Sequence, residues 1–325
     1  MTVFIIRRLL QSIIVVVVMS FLVFGGVNLV GDPVEMMVSD DADQAERERV
    51  IRSMGLDKPW YVQYGLFVAN AFEGDLGNSF VYGEPALRLI VQRIPATLEL
   101  AFAALLMAVV IGIPLGVLAG LKPEARTSRV IMAGSILGFS LPTFWVGLMF
   151  IMVFAVMLGW LPSTGRGDTV PLMGIETSFL TLDGLSHLLL PAVNLALFKI
   201  SLAIRLARAG TREVVHQDYI KFARAKGLRT RRVIFVHLMK NILIPVVTVL
   251  GLEFGGLIAF SVVTETVFAW PGMGKLIIDS INGLDRPVIV AYLMIVVLIF
   301  VVLNLVVDVL YSILDPRVRL QDVKT

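Results

Sequence analysis

An all-α integral membrane protein with six bilayer-crossing helices is the fold class this sequence predicts, on three observations. Of 325 residues, 57% are hydrophobic and only 16% are charged, against about 25% charged in ordinary soluble domains, and the mean hydropathy is +0.87. The apolar residues fall in runs long enough to cross a hydrocarbon core of about 30 Å, which takes about 20 helical residues. The basic residues gather in alternate connecting segments, as they do when one side of the membrane is cytoplasmic.

The first span, 9–30, follows Arg7 and Arg8. It is too long for a signal-peptide core and has no small-residue cleavage site, so it reads as a retained helix. Residues 31–95 carry eleven Asp and Glu against six Lys and Arg. That segment is too polar for lipid and too short for a substantial domain of its own, so it reads as an external cap packed on the span ends. Within it, residues 45–54 place Ala45, Val50, Ile51 and Met54 on one side of a short helix stopped by Gly55.

Further spans follow at 96–121, 130–161, 185–206, 242–263 and 288–314. The stretch 130–161 has no charge between Arg129 and Arg166 and contains Pro142, so it reads either as one long kinked helix or as two short ones. Parity favours one crossing. Six crossings with Arg7 and Arg8 inside put 18 of the 28 Lys and Arg in the cytoplasm and nine outside, with Lys199 inside a span. Two crossings there would move the ten basic residues of 205–240 outside, against the positive-inside rule. The expected organisation is a cytoplasmic N-terminus with the first span (1–30), an external cap (31–95), a membrane domain (96–314) that includes a cytoplasmic loop at 207–241, and a cytoplasmic tail (315–325). Gly112, Gly116 and Gly120, then Gly134 and Gly138, then Gly251 and Gly255, recur every four residues. That spacing lets helix backbones approach within the bundle, or against a second membrane subunit.

Several chemistries are excluded. The chain has no cysteine, which removes disulfides, thiolate metal sites and cysteine nucleophiles. His187, His216 and His237 stand in no metal-binding spacing, and no serine-hydrolase elbow is present. WPGMGKL at 270–276 lacks the spacing of a phosphate-binding loop. It reads instead as a turn after Pro271 that opens a short re-entrant or interfacial helix. The basic cluster does not have the look of a nucleic-acid-binding face.

The loop 205–240 holds ten basic residues against Glu213 and Asp218. Charge alone there signals topology or lipid head groups. The order of residues adds more: Tyr219, Phe222, Ala223 and Lys226 recur at helical spacing, and Gly227 stands where a left-handed cap is needed. Asp218 opens this helix and Ala225 lies near its end. Thr230 is placed to cap a second helix running toward the next span. The helix presents an aromatic and small-residue face suited to a groove in a soluble partner.

Ionisable residues inside spans are costly and carry functional hypotheses by default. Glu99, Lys199, Glu253 and Asp308 qualify, with Asn194 as a neutral companion. Asp308 lies near the cytoplasmic end, within reach of Arg7 or Arg8. Lys199 and Glu253 lie deeper, where they either pair across helices or line an aqueous path. An ion-coupled secondary transporter that uses Glu253, Lys199 or Asp308 is the competing reading, and it leaves the ordered basic loop without a purpose.

The run DYIKFARAKGLRTRRVIFVHLMKNILIPVVT (218–248) resembles the cytoplasmic coupling loop of ABC-transporter permeases of the dipeptide/oligopeptide/nickel family, in particular their B-type subunit. GDP (31–33), GLDKPWYVQY (55–64), GDLGNSF (74–80), PATLELA (95–101), TETVFAWPGMG (264–274) and NLVVDVLYSILDPR (304–317) agree in order. Lys221 stands where the broader importer pattern has Glu, and His237, Met239 and Lys240 replace its terminal Ile-x-Leu-Pro, departures that resemble the peptide-permease branch. The resemblance implies the type I importer permease fold and a role in peptide import across the bacterial inner membrane. It also implies a second, C-type permease, two ATPase subunits that bind ATP and Mg, and an extracytoplasmic solute-binding protein. It places ATPase coupling on Asp218, Tyr219, Phe222, Ala223, Ala225, Lys226 and Gly227. Candidate path residues are Lys199, Glu253, Asn194 and Glu99. The chain itself is expected to hold no catalytic site, metal or cofactor.

Overall fold

The computed structural model describes residues 2–29, 44–53 and 57–314. The GDP motif at 31–33, Gly55 and the tail 315–325 lie outside the described residues, as does the side chain of Asp308. The chain divides into two compact units, residues 1–94 with 276–305, and residues 95–275 with 306–325.

In the first unit, α1 (Thr2–Leu29) is the first span and α2 (Gln44–Ser53) is the short helix expected near residue 45. The helix α3 (Trp60–Phe72) packs on α1. The Ser20 and Tyr64 hydroxyls share a 2.8 Å hydrogen bond, and Phe21 and Phe24 meet Tyr64 edge-on. Aromatic pairs of this kind hold best edge-to-face, so the WYVQY segment fastens α3 to α1. Further along, Asp285 accepts hydrogen bonds from the Ser79 hydroxyl and the Phe80 N–H (3.1 Å) and so fixes the GDLGNSF turn.

The second unit is built around α8 (Leu182–Val214), a 33-residue helix with Asn194, Lys199, Ala203 and Ala207 on its buried side. Against it lie α5 (Ile113–Leu121), α6 (Arg126–Ser140) and α11 (Met239–Val267). α5 continues α4 (Ala86–Met107) through a π-turn at Ala108–Gly112, just ahead of Pro114, whose missing N–H cannot sustain the regular ladder. Gly112, Gly116 and Gly120 face α8 so closely that a Cβ on Gly116 would lie 2.5 Å from the Ile204 carbonyl oxygen and 2.7 Å from Ala207 Cβ. The four-residue glycine spacing in this span therefore serves packing within the chain. Gly116→Val is expected to cost several kcal/mol by overpacking, about 3 kcal/mol or more where backbone must move, and to lower the unfolding temperature of the detergent-solubilised subunit. Gly134→Ala, at a position with nothing within 4 Å, is the matched control and leaves that temperature unchanged.

The stretch 130–161 is broken at Pro142, one of the two forms that the sequence allows: α6 and α7 (Thr143–Phe150, extended by a π segment to Met157) meet at a 106° bend. Leu141 and Pro142 are both extended, because the proline ring disfavours helical backbone in the residue before it. Each limb is about 22 Å long, too short to cross alone. Among the described residues five other helices are long and apolar enough to cross, and the bent pair counted as one broken span makes six. The all-helical class holds with one small addition: β1 (Val170–Leu172) and β2 (Ile175–Thr177) form an antiparallel hairpin. Its two-residue loop, Met173 and Gly174, has positive φ at both positions, as a type I′ turn requires. The helices extend past the apolar runs read from the sequence, covering Ala86–Leu121, Leu182–Val214 and Thr230–Val267.

Candidate functional site

The connection between α8 and α11 contains α9 (Asp218–Ala225), α10 (Thr230–Arg232) and a π segment at Val233–Leu238 that leads into α11. Asp218 lies in the first turn of α9 and Arg224 in the last, each favourable to the helix dipole. Lys221 donates to Asp218 at 2.9 Å and holds that carboxyl below its ordinary range, an exposed surface pair. The helix stops in a Schellman arrangement: the Gly227 N–H donates to the Arg224 carbonyl (2.9 Å), the Leu228 N–H donates to that of Ala223 (3.4 Å), and Gly227 has φ +75°.

Ile220 and Ala223 are the buried pair of α9. They join Ile113 and Val117 of α5, Ala203 and Ala207 of α8, Val233 and Leu238 of the π segment, and Ile242, Val246 and Leu250 of α11 in one apolar cluster. The outward side carries Tyr219, Phe222 at 61% exposure, Ala225 and Lys226, with the Lys226 ammonium 4.5 Å from the Phe222 ring centre. This corrects the expected single face of Tyr219, Phe222, Ala223 and Lys226. Successive helical residues turn by about 100°, so those positions span a broad arc, and the chain's own core takes its Ala223 edge. Ala223 is 5% exposed and serves as the mount of the helix, with Ile220, which the periodicity did not single out.

Deeper in the second unit, Lys199 of α8 forms an ion pair with Glu253 of α11, so of the two sequence readings pairing is what the structure contains. The Lys199 ammonium also stands 5.2 Å from the Phe198 ring centre, and Phe198 stacks on Phe139 at 4.7 Å beside the α6–α7 bend. The pair borders a cavity of about 420 Å³ with Thr143, Phe198, Leu257 and Phe260 among its walls. Asn194 is separate from this pair: its amide donates to the Thr264 hydroxyl at 3.1 Å, and its carbonyl oxygen finds no hydrogen-bond partner among the described residues. Glu99 is elsewhere again. It is paired with Arg166 at 2.7 Å and accepts from the Ser178 N–H (2.6 Å) and the Thr177 hydroxyl (2.9 Å), which ties α4 to the hairpin.

The periodicity also missed Glu265. It is fully buried near the end of α11 and accepts from the Thr97 hydroxyl (2.8 Å), the Ser261 hydroxyl (2.9 Å) and the Lys275 N–H (3.0 Å). Trp270 Nε1 donates to the Ala96 carbonyl at 2.9 Å. A Cβ on Gly272 or Gly274 would strike the Glu265 carboxylate, so the PGMG sequence is shaped to this acid. It opens α12 (Met273–Asn282), the short helix expected after Pro271. A lone acid just before a Pro-Gly turn was the available signal.

Among the described residues no group of His, Cys, Asp and Glu could hold a metal ion. The membrane body thus mounts a short amphipathic helix on α5, α8 and α11. The family model for binding-protein-dependent transport system inner membrane components matches residues 112–320, and the model for the N-terminal part of such components matches residues 1–101. The chain belongs to this family and is a multi-pass inner-membrane permease component. It is 40% identical to a di/tripeptide transport system permease protein of Pseudomonas aeruginosa, covering 98% of this chain and 99% of that one. It is 41% identical to an oligopeptide transport system permease protein of Bacillus subtilis, over 98% and 100% of the two chains. The solved inward-facing MetNI methionine ABC transporter shares the fold, with TM-score 0.56 and 18% identity over 70% of this chain and 97% of that one.

Proposed function

We propose that this chain is one membrane half of an ATP-binding cassette importer that carries di- and oligopeptides across the bacterial inner membrane, with both termini and α9 in the cytoplasm. The names of its relatives and the positive-inside balance support the reading. A homologous C-type permease completes the path, and an extracytoplasmic solute-binding protein delivers peptide to the external segments 31–95 and 264–287. ATP and Mg belong to two partner ATPase subunits, which supply the hydrolysis.

The observation that carries the reading is the mounting of α9. Ile220 and Ala223 anchor it in the cluster shared by α5, α8 and α11, while Tyr219, Phe222 and Lys226 stand outward. A partner that grips the outward face moves a rigidly packed group of helices, because close-packed cores shift as bodies and do not deform continuously. Asp218 and Gly227 fix the start and end of the gripped helix.

Reconstitution with these partners in proteoliposomes tests the proposal. Peptide uptake is expected to stop when the ATPases carry an inactivating Walker substitution and to continue when the proton gradient is dissipated. Uptake that survives the first change and fails under the second overturns the reading in favour of an ion-coupled carrier built on Lys199, Glu253 or Asp308.

A further inference from the structure

We propose that the Lys199–Glu253 pair and its cavity form a charge-neutral station for a zwitterionic short peptide, with Glu253 taking the ammonium end and Lys199 the carboxylate end. The proposal rests on the peptide-importer reading and adds where, and by what chemistry, this chain holds its cargo. The cavity, about 420 Å³, is walled mainly by apolar side chains, including Leu195, Phe198, Leu257, Phe260 and Val263. Its volume lies in the range of small-ligand sites, which combine apolar walls with a few placed polar groups. The charged groups lining it are one ammonium and one carboxylate, already in contact.

That arrangement selects by charge. A cationic ligand that takes Glu253 strands Lys199, whose side chain is buried, and an unpaired charge away from water is costly. A ligand with both charges replaces one ion pair by two, with no change in net charge. The termini of a dipeptide lie about 5–7 Å apart, given consecutive Cα atoms 3.8 Å apart. The Glu253 side chain is 40% exposed and that of Lys199 is 6%. The ammonium end therefore meets Glu253 first, and Lys199, a point charge on a flexible stem, turns from Glu253 to the arriving carboxylate. A Cβ at Gly256 would lie in ordinary van der Waals contact, 3.8 Å from both the Lys199 ammonium and a Glu253 oxygen, so this edge of α11 borders the pair without crowding it. The apolar walls receive side chains without reading their identity.

The test uses the reconstituted complex, comparing the parent chain, Lys199→Met, Glu253→Met and the double substitution. If the pair were only structural, near-isosteric apolar replacement of both partners would restore what either single change loses. The station predicts that the double variant assembles, hydrolyses ATP at the parental rate with liganded binding protein, and still loses dipeptide uptake by about tenfold or more, the equivalent of one lost charge-assisted contact. A dipeptide carrying a photoreactive benzoylphenylalanine is expected to label the 195–199 or 257–263 segment during turnover of the parent complex, and not of the double variant. Parental uptake by the double variant, or labelling confined to other segments, overturns the station and leaves the importer reading standing. Absence of ATP-dependent uptake by the parent complex overturns the importer reading and the station with it.

Discussion

Gly227→Pro is expected to abolish ATP-driven peptide uptake while the subunit still inserts and still joins its partners. Gly227 closes α9 at φ +75° with its N–H on the Arg224 carbonyl. Proline fixes φ near −65° and has no N–H, so both the left-handed turn and that hydrogen bond are lost. Nothing lies within 4 Å of a Cβ at this position, so the loss comes from the backbone and not from crowding. Proline cannot enter the left-handed region at all, so the correctly closed helix is excluded and not merely strained, and the lost hydrogen bond adds about 1 kcal/mol. Gly227→Asn should retain most uptake, because Asn tolerates the left-handed region. Phe222→Ala should lower uptake per ATP hydrolysed without affecting the fold, since its ring is exposed. Uptake and ATP hydrolysis measured together in proteoliposomes decide the matter: parental uptake by Gly227→Pro, or equal loss in Gly227→Asn, would sink the role assigned to this cap.

A charge substitution at Ala223 cannot serve the same purpose. The small side chain packs with Ile220 against Val233 and Ile242, so a Glu there would bury a charge in the subunit's own core. Its phenotype would report misfolding. The distinction marks how far this element could be read from sequence. The helix, its N-terminal acid and its left-handed stop follow from local chemistry in Asp218–Gly227. Which edge of its apolar arc turns inward depends on Val117, Ala207 and Ile242, residues distant in the chain, and eight residues of periodicity do not encode them.

The same division runs through the membrane body. The apolar runs and the basic loops located the spans, because lipid imposes length and sidedness on each segment separately. Pro142 carried the local cause of the 106° bend and already marked the run as kinked or divided, while the size of the bend depends on what the two limbs pack against. The hairpin turned at Met173 and Gly174 escaped notice because methionine is a poor signal for a positive-φ position. Lys199 and Glu253 were singled out by depth alone, and only the packing of α8 on α11 brings them into contact.

Glu265 is the residue whose removal should cost most. Glu265→Ala leaves the Thr97 and Ser261 hydroxyls and the Lys275 N–H without the carboxylate they now share, inside a region where the acid itself is fully buried. The Ser261 hydroxyl keeps the Ile258 carbonyl as acceptor (2.8 Å), so two groups are stranded at about 1–3 kcal/mol each, and a vacated volume between α4, α11 and the start of α12 adds a cavity term of about 2 kcal/mol. Because Gly272 and Gly274 have no side chains to fill that volume, a total of about 4–6 kcal/mol is expected by these increments. That is comparable with the whole stability of many domains, so the variant should accumulate poorly and unfold at a much lower temperature in detergent. Glu265→Gln keeps one acceptor oxygen in the same volume and turns an amide toward the remaining donors, so it should fall between the parent and Glu265→Ala. A thermal-unfolding series on purified subunit, with Thr97→Val as a second removal from the same network, provides the check. Thr97 both donates to Glu265 and accepts from the Met273 N–H at 2.8 Å, so its loss and that of Glu265 should be strongly non-additive. Independent, additive effects would mean that Glu265 does not organise the entry to α12, and that the Pro-Gly turn holds its shape without it.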